Sequence, residues 1–223
     1  DETITKVNKA ESAIIIDGKA TEQAWNKAQW LPLNKHIVGE LPSKDDFSGR
    51  YKLLWDEQYL YLMAEINDDV LFDQYANPVE KYWDDDSLEV FIDEDASGGN
   101  HQFSFNAFAY HVALDNQVAD IGPNNPDGST NFILLNEHVQ SRWQRSKTAP
   151  NSITWELAIS LYEDSFSLLG KHTPAILTKD KMIGFMLAYC DNDGSNEREH
   201  FIGSHSIKPK NGDKNLGYID AGV

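Results

Sequence analysis

An all-β chain is what this sequence predicts, an antiparallel β-sandwich of the jelly-roll or immunoglobulin-like kind with one or two short helices. Three observations lead there. Short apolar alternations recur from end to end, each followed by a polar turn, while helical periodicity is scarce. Hydrophobic residues make up 40% and aromatics 11% of 223 residues, enough for a sizeable core. No internal repeat, low-complexity tract or long linker divides the chain, so residues 1–223 are expected to form one domain.

Taken in order, Ala13 to Ile16 reads as a first strand closed by the turn dipeptide Asp17-Gly18. Thr21 then suits an N-cap for a short helix from Glu22 to Ala28, with Ala24, Trp25 and Ala28 on one face. Tyr51 to Trp55 and Tyr59 to Ile66 read as a hairpin joined through Asp56-Glu57-Gln58. Further strands are expected at Ser87 to Asp93, Gln102 to Ala113, Phe132 to Leu135, Val139 to Arg145, Ile153 to Ile159 and Ile183 to Asp191.

Alternation assigns faces. In the strand after Trp83, Leu88, Val90 and Ile92 turn to the core, leaving Ser87, Glu89, Phe91 and Asp93 opposite. In the next, Phe103, Phe105, Ala107 and Ala109 are expected inside. Ser104 and Asn106 then share a polar face with Glu89, a hydrogen-bonding surface suited to a polyhydroxylated ligand.

Charge removes several functions. With 36 acidic against 19 basic side chains the formal charge is -17, and no Lys/Arg run offers a positive face, which argues against nucleic acid and anionic lipid as partners. No apolar stretch approaches transmembrane length, so membrane insertion is not expected. A start at Asp1 fits a processed, exported protein, extracellular or periplasmic. The single Cys190 excludes an intramolecular disulfide and a zinc site built mainly from thiolates, and its apolar neighbours suggest an inert, packed thiol.

The acids are unevenly placed. Seven carboxylates and no basic residue fall between Asp84 and Asp95. Ca2+ takes six to eight oxygen ligands, often from a Gly-containing loop. Asp93, Asp95 and Asn100 offer one such set beside Gly98 and Gly99, and Asp191, Asp193 and Glu197 a second; Asp68, Asp69 and Asp73 form a weaker group. Glu89 with Asp93 could in principle serve glycoside hydrolysis, but nothing pairs them across a cleft, so an enzyme is not expected. The seven histidines show no close metal spacing and read as solvated surface. Trp25, Trp55, Trp143 and Trp155 sit at apolar positions and read as core; Trp83, in the polar run Lys81 to Asp86, reads as partly exposed.

Several motifs, taken together and in this order, resemble the family 9 carbohydrate-binding modules, β-sandwich sugar binders related to DOMON-type domains. They are Ile16-Asp17-Gly18 with Glu22 and Trp25, Leu54-Trp55-Asp56-Glu57 running into Tyr59-Leu60-Tyr61, and Asn77-Pro78 followed by Trp83 to Asp93. Trp155-Glu156-Leu157-Ala158-Ile159 and Asn215-Leu216-Gly217 complete the series. The resemblance implies non-catalytic binding of a mono- or oligosaccharide or a polysaccharide chain end, structural Ca2+, and attachment to a larger polysaccharide-degrading enzyme or surface assembly. It matches Trp83 to an aromatic platform and Glu89 and Asn106 to sugar-contacting residues. Ser104 stands where an arginine contact is found, and the second aromatic falls near Phe201 and His205. Two alternatives are a haem-binding DOMON-like electron-transfer domain, for which Met63, Met182 and Met186 would be the candidate ligands, and a protein-contacting adhesion or accessory module.

Overall fold

The structure is a computed structural model and describes residues 4–98 and 102–207. It contains two short 3-10 helices, Gln23–Lys27 and Tyr82–Asp84, and thirteen strands. In chain order these are β1 Asn8–Lys9, β2 Leu31–Pro32, β3 Lys35–Val38, β4 Phe47–Trp55, β5 Leu60–Asp68, β6 Ser87–Asp93 and β7 Phe108–Ala113. The remaining strands are β8 Val118–Gly122, β9 Asn131–Leu134, β10 Val139–Arg145, β11 Ile153–Ile159, β12 Gly184–Asp191 and β13 His200–Gly203.

The strands form two sheets, antiparallel apart from the short β1–β4 pairing. One runs β1-β4-β5-β11-β10 with β2 also on β4, and the other runs β3-β13-β12-β6-β7-β8-β9. Alternation builds the core between them. Leu53, Leu62, Ala64, Ile66, Trp155, Leu157 and Ile159 from the first sheet meet Leu88, Val90, Ile92, Phe108, Tyr110, Val112, Leu187 and Tyr189 from the second. Trp25 and Trp155 are buried, while Trp55 and Trp143 are half-buried at the margin.

Each sheet also carries a covered outer face. On the first, Ile14, Ala24, Trp25 and Ala28 pack over Leu54, Tyr61, Met63 and Ala158. On the second, Ile37, Phe91, Ala107, Ala109, Met186, Ala188, Cys190 and Phe201 form a smaller cluster. Met63 and Met186 are therefore packing residues, as core alternation expects, whereas Met182 is exposed.

Three local expectations need correction. Ala13 to Ile16 is extended but joins no ladder, because it crosses the outer face of the first sheet; its Ile15 N–H goes to Glu22 Oε1 instead, at 2.9 Å. The helix is a 3-10 turn capped at Glu22 rather than an α-helix capped at Thr21. Five residues of helix at the surface gain too little from i→i−4 bonding to outweigh the packing of Trp25.

The third correction bears on the site. The strand expected from Gln102 begins only at Phe108, and residues 102–107 are bent. These bends break the alternation between Phe105, which packs in the inner core as expected, and Ala107, which turns outward; Phe103, at φ 62°, holds a left-handed conformation unusual for a bulky residue. Phe108, Tyr110 and Val112 turn to the inner core, the reverse of the expected parity, and Ala109 turns outward.

Candidate binding site

The reversed parity decides who stands beside Glu89. In the β6–β7 ladder Glu89 pairs with His111, not with Ser104 or Asn106. Asn106 lies in the bent segment and donates its side-chain N–H to Gly98 O. Ser104, half-buried in the same segment, is likewise off the strand.

Around Glu89 the outer face of the second sheet opens into a cleft of about 310 Å3. Tyr82, Trp83, Phe103 and Phe132 supply aromatic surface, and Glu89, His111, Asp120 and Arg198 supply ionisable groups. Lys81, in a left-handed turn at φ 44°, opens the short helix that delivers Tyr82 and Trp83 to the rim. Tyr82 stands edge-on to Trp83 at 5.1 Å and to His111 at 4.4 Å, and Trp83 meets Phe132 at 5.8 Å. Trp83 is thus held on one side and half-exposed on the other, as its polar sequence context suggested. Phe103 is 45% exposed and contacts none of these rings.

The floor is buried and charged. His111 Nε2 lies 3.1 Å from Glu89 Oε2. Burial pulls the His111 imidazole down, but the Glu89 carboxylate and the neighbouring Cys190 outweigh it and hold the group at about 9, so it is a cation at neutral pH. Asp120 on β8 accepts the Ile121 N–H at 2.7 Å, and burial raises its carboxyl far above the ordinary carboxylate range. Its Oδ2 has no hydrogen-bond partner. Sequence reasoning read His111 as solvated surface and did not single out Asp120; the signal available was their position on outward-facing strand registers flanking Glu89, which only the correct parity reveals.

Phe201 and His205 do not line this cleft. Phe201 is buried in the outer apolar cluster with the Arg198 guanidinium 4.4 Å from its ring, and His205 is half-buried against Ser204 Oγ. The exposed second ring comes from Phe103 instead.

The acidic run is buried rather than solvated, and it ties loops together. Asp85 accepts the Gln74 and Tyr75 N–H groups at 2.9 and 3.0 Å. Asp86 accepts Phe72 at 2.6 Å and Asn192 at 2.8 Å, and Asp84 accepts Arg198 at 3.1 Å. Thus the segment around Trp83 is anchored to the loop that carries Arg198.

Asp86 also joins two of the sequence-distant acidic groups. Asp68, Asp86 and Asp191, all buried, bring carboxylate oxygens within 4.8 Å of one another, and Asp46, Asp69 and Asp193 do the same beside them. Neither oxygen of Asp191 has a partner although the residue is 0% exposed. Burial, reinforced by the neighbouring carboxylates, pushes Asp86 up to about 9, Asp191 to about 8 and Asp68 to about 6. Such a cluster is short of a cation. Unspent carboxylate lone pairs and an all-oxygen donor set fit Ca2+. Of the residues proposed from sequence, Asp191 and Asp193 lie in this region and Glu197 is in neither set. Asp93 is buried with Oδ2 on the Gly98 N–H and Asp95 is exposed; Asn100 and the motif Asn215-Leu216-Gly217 lie outside the described residues.

Comparison with known proteins follows the same lines. A 35% identical stretch of 104 residues is shared with endo-1,4-beta-xylanase C of Paenibacillus barcinonensis, covering 47% of this chain and 9% of that enzyme; the chain thus spans about a tenth of its length. The fold is similar to a carbohydrate binding module family 9 from Caldicellulosiruptor kristjanssonii solved with glucose. The TM-score is 0.58 at 19% identity, over 89% of this chain and 84% of that one. A second structure of that module, with cellotriose, aligns equally well, with a TM-score of 0.58 at 19% identity over 89% of this chain and 83% of that one. The profile of the family described as carbohydrate family 9 binding domain-like matches residues 16–222, a span that includes both sheets from β2 onward and every residue of the cleft, and the chain belongs to that family.

Proposed function

We propose that the cleft on the second sheet binds the end of a mono- or oligosaccharide, with Trp83 stacked on a pyranose ring and Glu89, His111, Asp120 and Arg198 around its hydroxyls. Family membership gives carbohydrate binding without catalysis. One observation carries the finer reading: partly exposed aromatic rings and buried or half-buried ionisable side chains converge on one cleft. A pyranose presents C–H bonds on its faces and hydroxyls at its rim, which calls for that combination. About 310 Å3 is at the small end of the roughly 300–1,000 Å3 usual for ligand sites, so one or two rings fit rather than a long chain. Phe103 serves as the second wall. Its left-handed backbone is a local strain retained at the cleft.

Glucose and cellotriose, the ligands of the structural neighbours, are the first sugars to try, and xylo-oligosaccharides follow from the xylanase relatives. Calorimetry with each sugar, free and reduced at C1, should show binding that needs the free end. Trp83→Ala should weaken it at least roughly tenfold while the melting temperature holds. A folded Trp83→Ala chain that binds as well as the parent would overturn the assignment.

Ca2+ at Asp68, Asp86 and Asp191 is the second part of the proposal, supported by the partnerless oxygens of Asp191. Bound ion would offset the local charge and lock the loop carrying Arg198 against the segment carrying Trp83. Chelation should lower the melting temperature and added Ca2+ restore it, by about 2–3 kcal/mol of stability at a hundredfold excess over Kd. An unchanged melting curve would count against it. Export as part of a larger polysaccharide-degrading protein is in keeping with the relatives, and among the described residues no helix is long and apolar enough to cross a membrane.

A further inference from the structure

The cleft floor brings together three side chains that sugar binding does not require as a set. Cys190 stands on β12, Glu89 on β6 and His111 on β7, three adjacent strands. The register puts Glu89 opposite His111 and Cys190 opposite Ser87, one step along the same outer face. Glu89 Oε2 is 3.1 Å from His111 Nε2 and 4.0 Å from Cys190 Sγ, and one donor atom from each residue lies within 4.8 Å of the other two. Their exposures are 5%, 7% and 0%.

Two further observations concern buried polar atoms of His111 and Asp120. Neither ring nitrogen of His111 makes an aligned hydrogen bond, although the imidazole is more than nine-tenths buried. Asp120, 2% exposed and lining the same cleft, holds Oδ2 without a partner. Sulfur, imidazole nitrogen and one carboxylate oxygen are the donor mix of Zn2+ and similar borderline cations, not of Ca2+. Tetrahedral Zn2+, with bonds of about 2.3 Å to sulfur and 2.0–2.2 Å to nitrogen and oxygen, sets its donors about 3.3–3.6 Å apart. The two distances from Glu89 straddle that spacing, so small side-chain rotations complete the set.

The geometry points to a second kind of ion site in this protein, a Zn2+-class cation held by Glu89, His111 and Cys190 on the cleft floor with its fourth position toward the cleft. On binding, the thiol and the imidazolium each release one proton to solvent, and no electron moves. Ion and sugar would then meet at Glu89, making zinc a modulator of the cleft.

The test is made without sugar, so its outcome is separate from that of the sugar-binding proposal. The full chain, stripped with chelator, reduced and kept under Ca2+, is titrated with Co2+ and read by thiolate-to-cobalt charge-transfer absorption in the near ultraviolet. A band saturating at a single equivalent is expected, with an affinity at least roughly tenfold weaker in His111→Gln. X-ray absorption of the unmutated chain loaded with Zn2+ should show one sulfur at about 2.3 Å and needs no variant to fold. Absence of the charge-transfer band at millimolar Co2+, or a zinc shell of nitrogen and oxygen alone, overturns the proposal.

Discussion

Each sheet places a carboxylate at the middle of a central strand and points it away from the core: Glu156 on β11 of the first sheet, Glu89 on β6 of the second. Both are buried. The chain folds its own N-terminal segment over the first, and Glu156 Oε1 accepts the N–H groups of Asp17, Gly18 and Ala20 at 3.3, 2.8 and 3.2 Å. Gly18 makes this closure possible: its φ is +77°, and a Cβ there would lie 2.7 Å from the Trp143 carbonyl carbon. Over the second, the chain leaves a cleft, and the acid faces an imidazolium and solvent space. A buried acid given backbone donors is a structural fastener. The same acid beneath an opening is available to a ligand.

Removing the fastener should have the largest effect. Glu156→Ala strands three backbone donors and frees the segment that covers Trp25, so it should cost about 3 kcal/mol, read as a shifted urea midpoint. Asp120→Asn on the cleft side replaces a buried carboxyl whose charged form burial disfavours by a neutral group of the same shape, so stability should stay within about 1 kcal/mol. Equal losses from the two substitutions would break the comparison.

A comparable effect should come from His138, which belongs to neither outer face. Its Nδ1 meets Tyr110 Oη at 2.7 Å and its ring stacks on Tyr162 at 3.9 Å. Burial lowers its imidazole from 6.5 to about 4. Between those values the unfolded chain binds the extra proton, so the stability that this group contributes is full above pH 6.5 and is lost as pH falls toward 4, by about 3 kcal/mol in all. Denaturant curves across that range, taken as the difference between the parent chain and His138→Gln, should show that loss.

The smallest effect sharpens the cleft itself. Phe103→Gly relieves the left-handed backbone while deleting the exposed ring, so sugar affinity should fall about tenfold, or 1.4 kcal/mol, with stability unchanged or raised. Parental affinity in that variant would leave Trp83 as a lone platform.

Much of the sandwich was legible from sequence. Ser87 to Asp93, Val139 to Arg145 and Ile153 to Ile159 are strands with the expected limits, because each alternates cleanly between polar or small and large apolar residues. The hairpin turn was legible too: Asp56 Oδ1 accepts the Gln58 and Tyr59 N–H groups at 2.8 Å each, the local bonding that makes aspartate a turn residue. The short strands β1, β2, β3 and β13, and β8 beside a turn, were not, since a few residues carry no period and their pairing is won from distant neighbours. Trp83 and Glu89 line one cleft. Asn106 and Ser104, expected beside them, lie off the strand, because the bent residues 102–107 break the alternation on which that inference stood.

The sequence by itself determined the all-β class, the inward faces of the central strands and the unequal distribution of acids, properties set by composition and by short periods. Only the tertiary structure decided which acids are neighbours. Asp68, Asp86 and Asp191 meet across three separate stretches of chain, and Glu89 meets His111 and Cys190 across three strands. The physical reason is that alternation assigns a side chain to a face, but register and loop path assign it a partner, and at a buried charge the partner determines the chemistry.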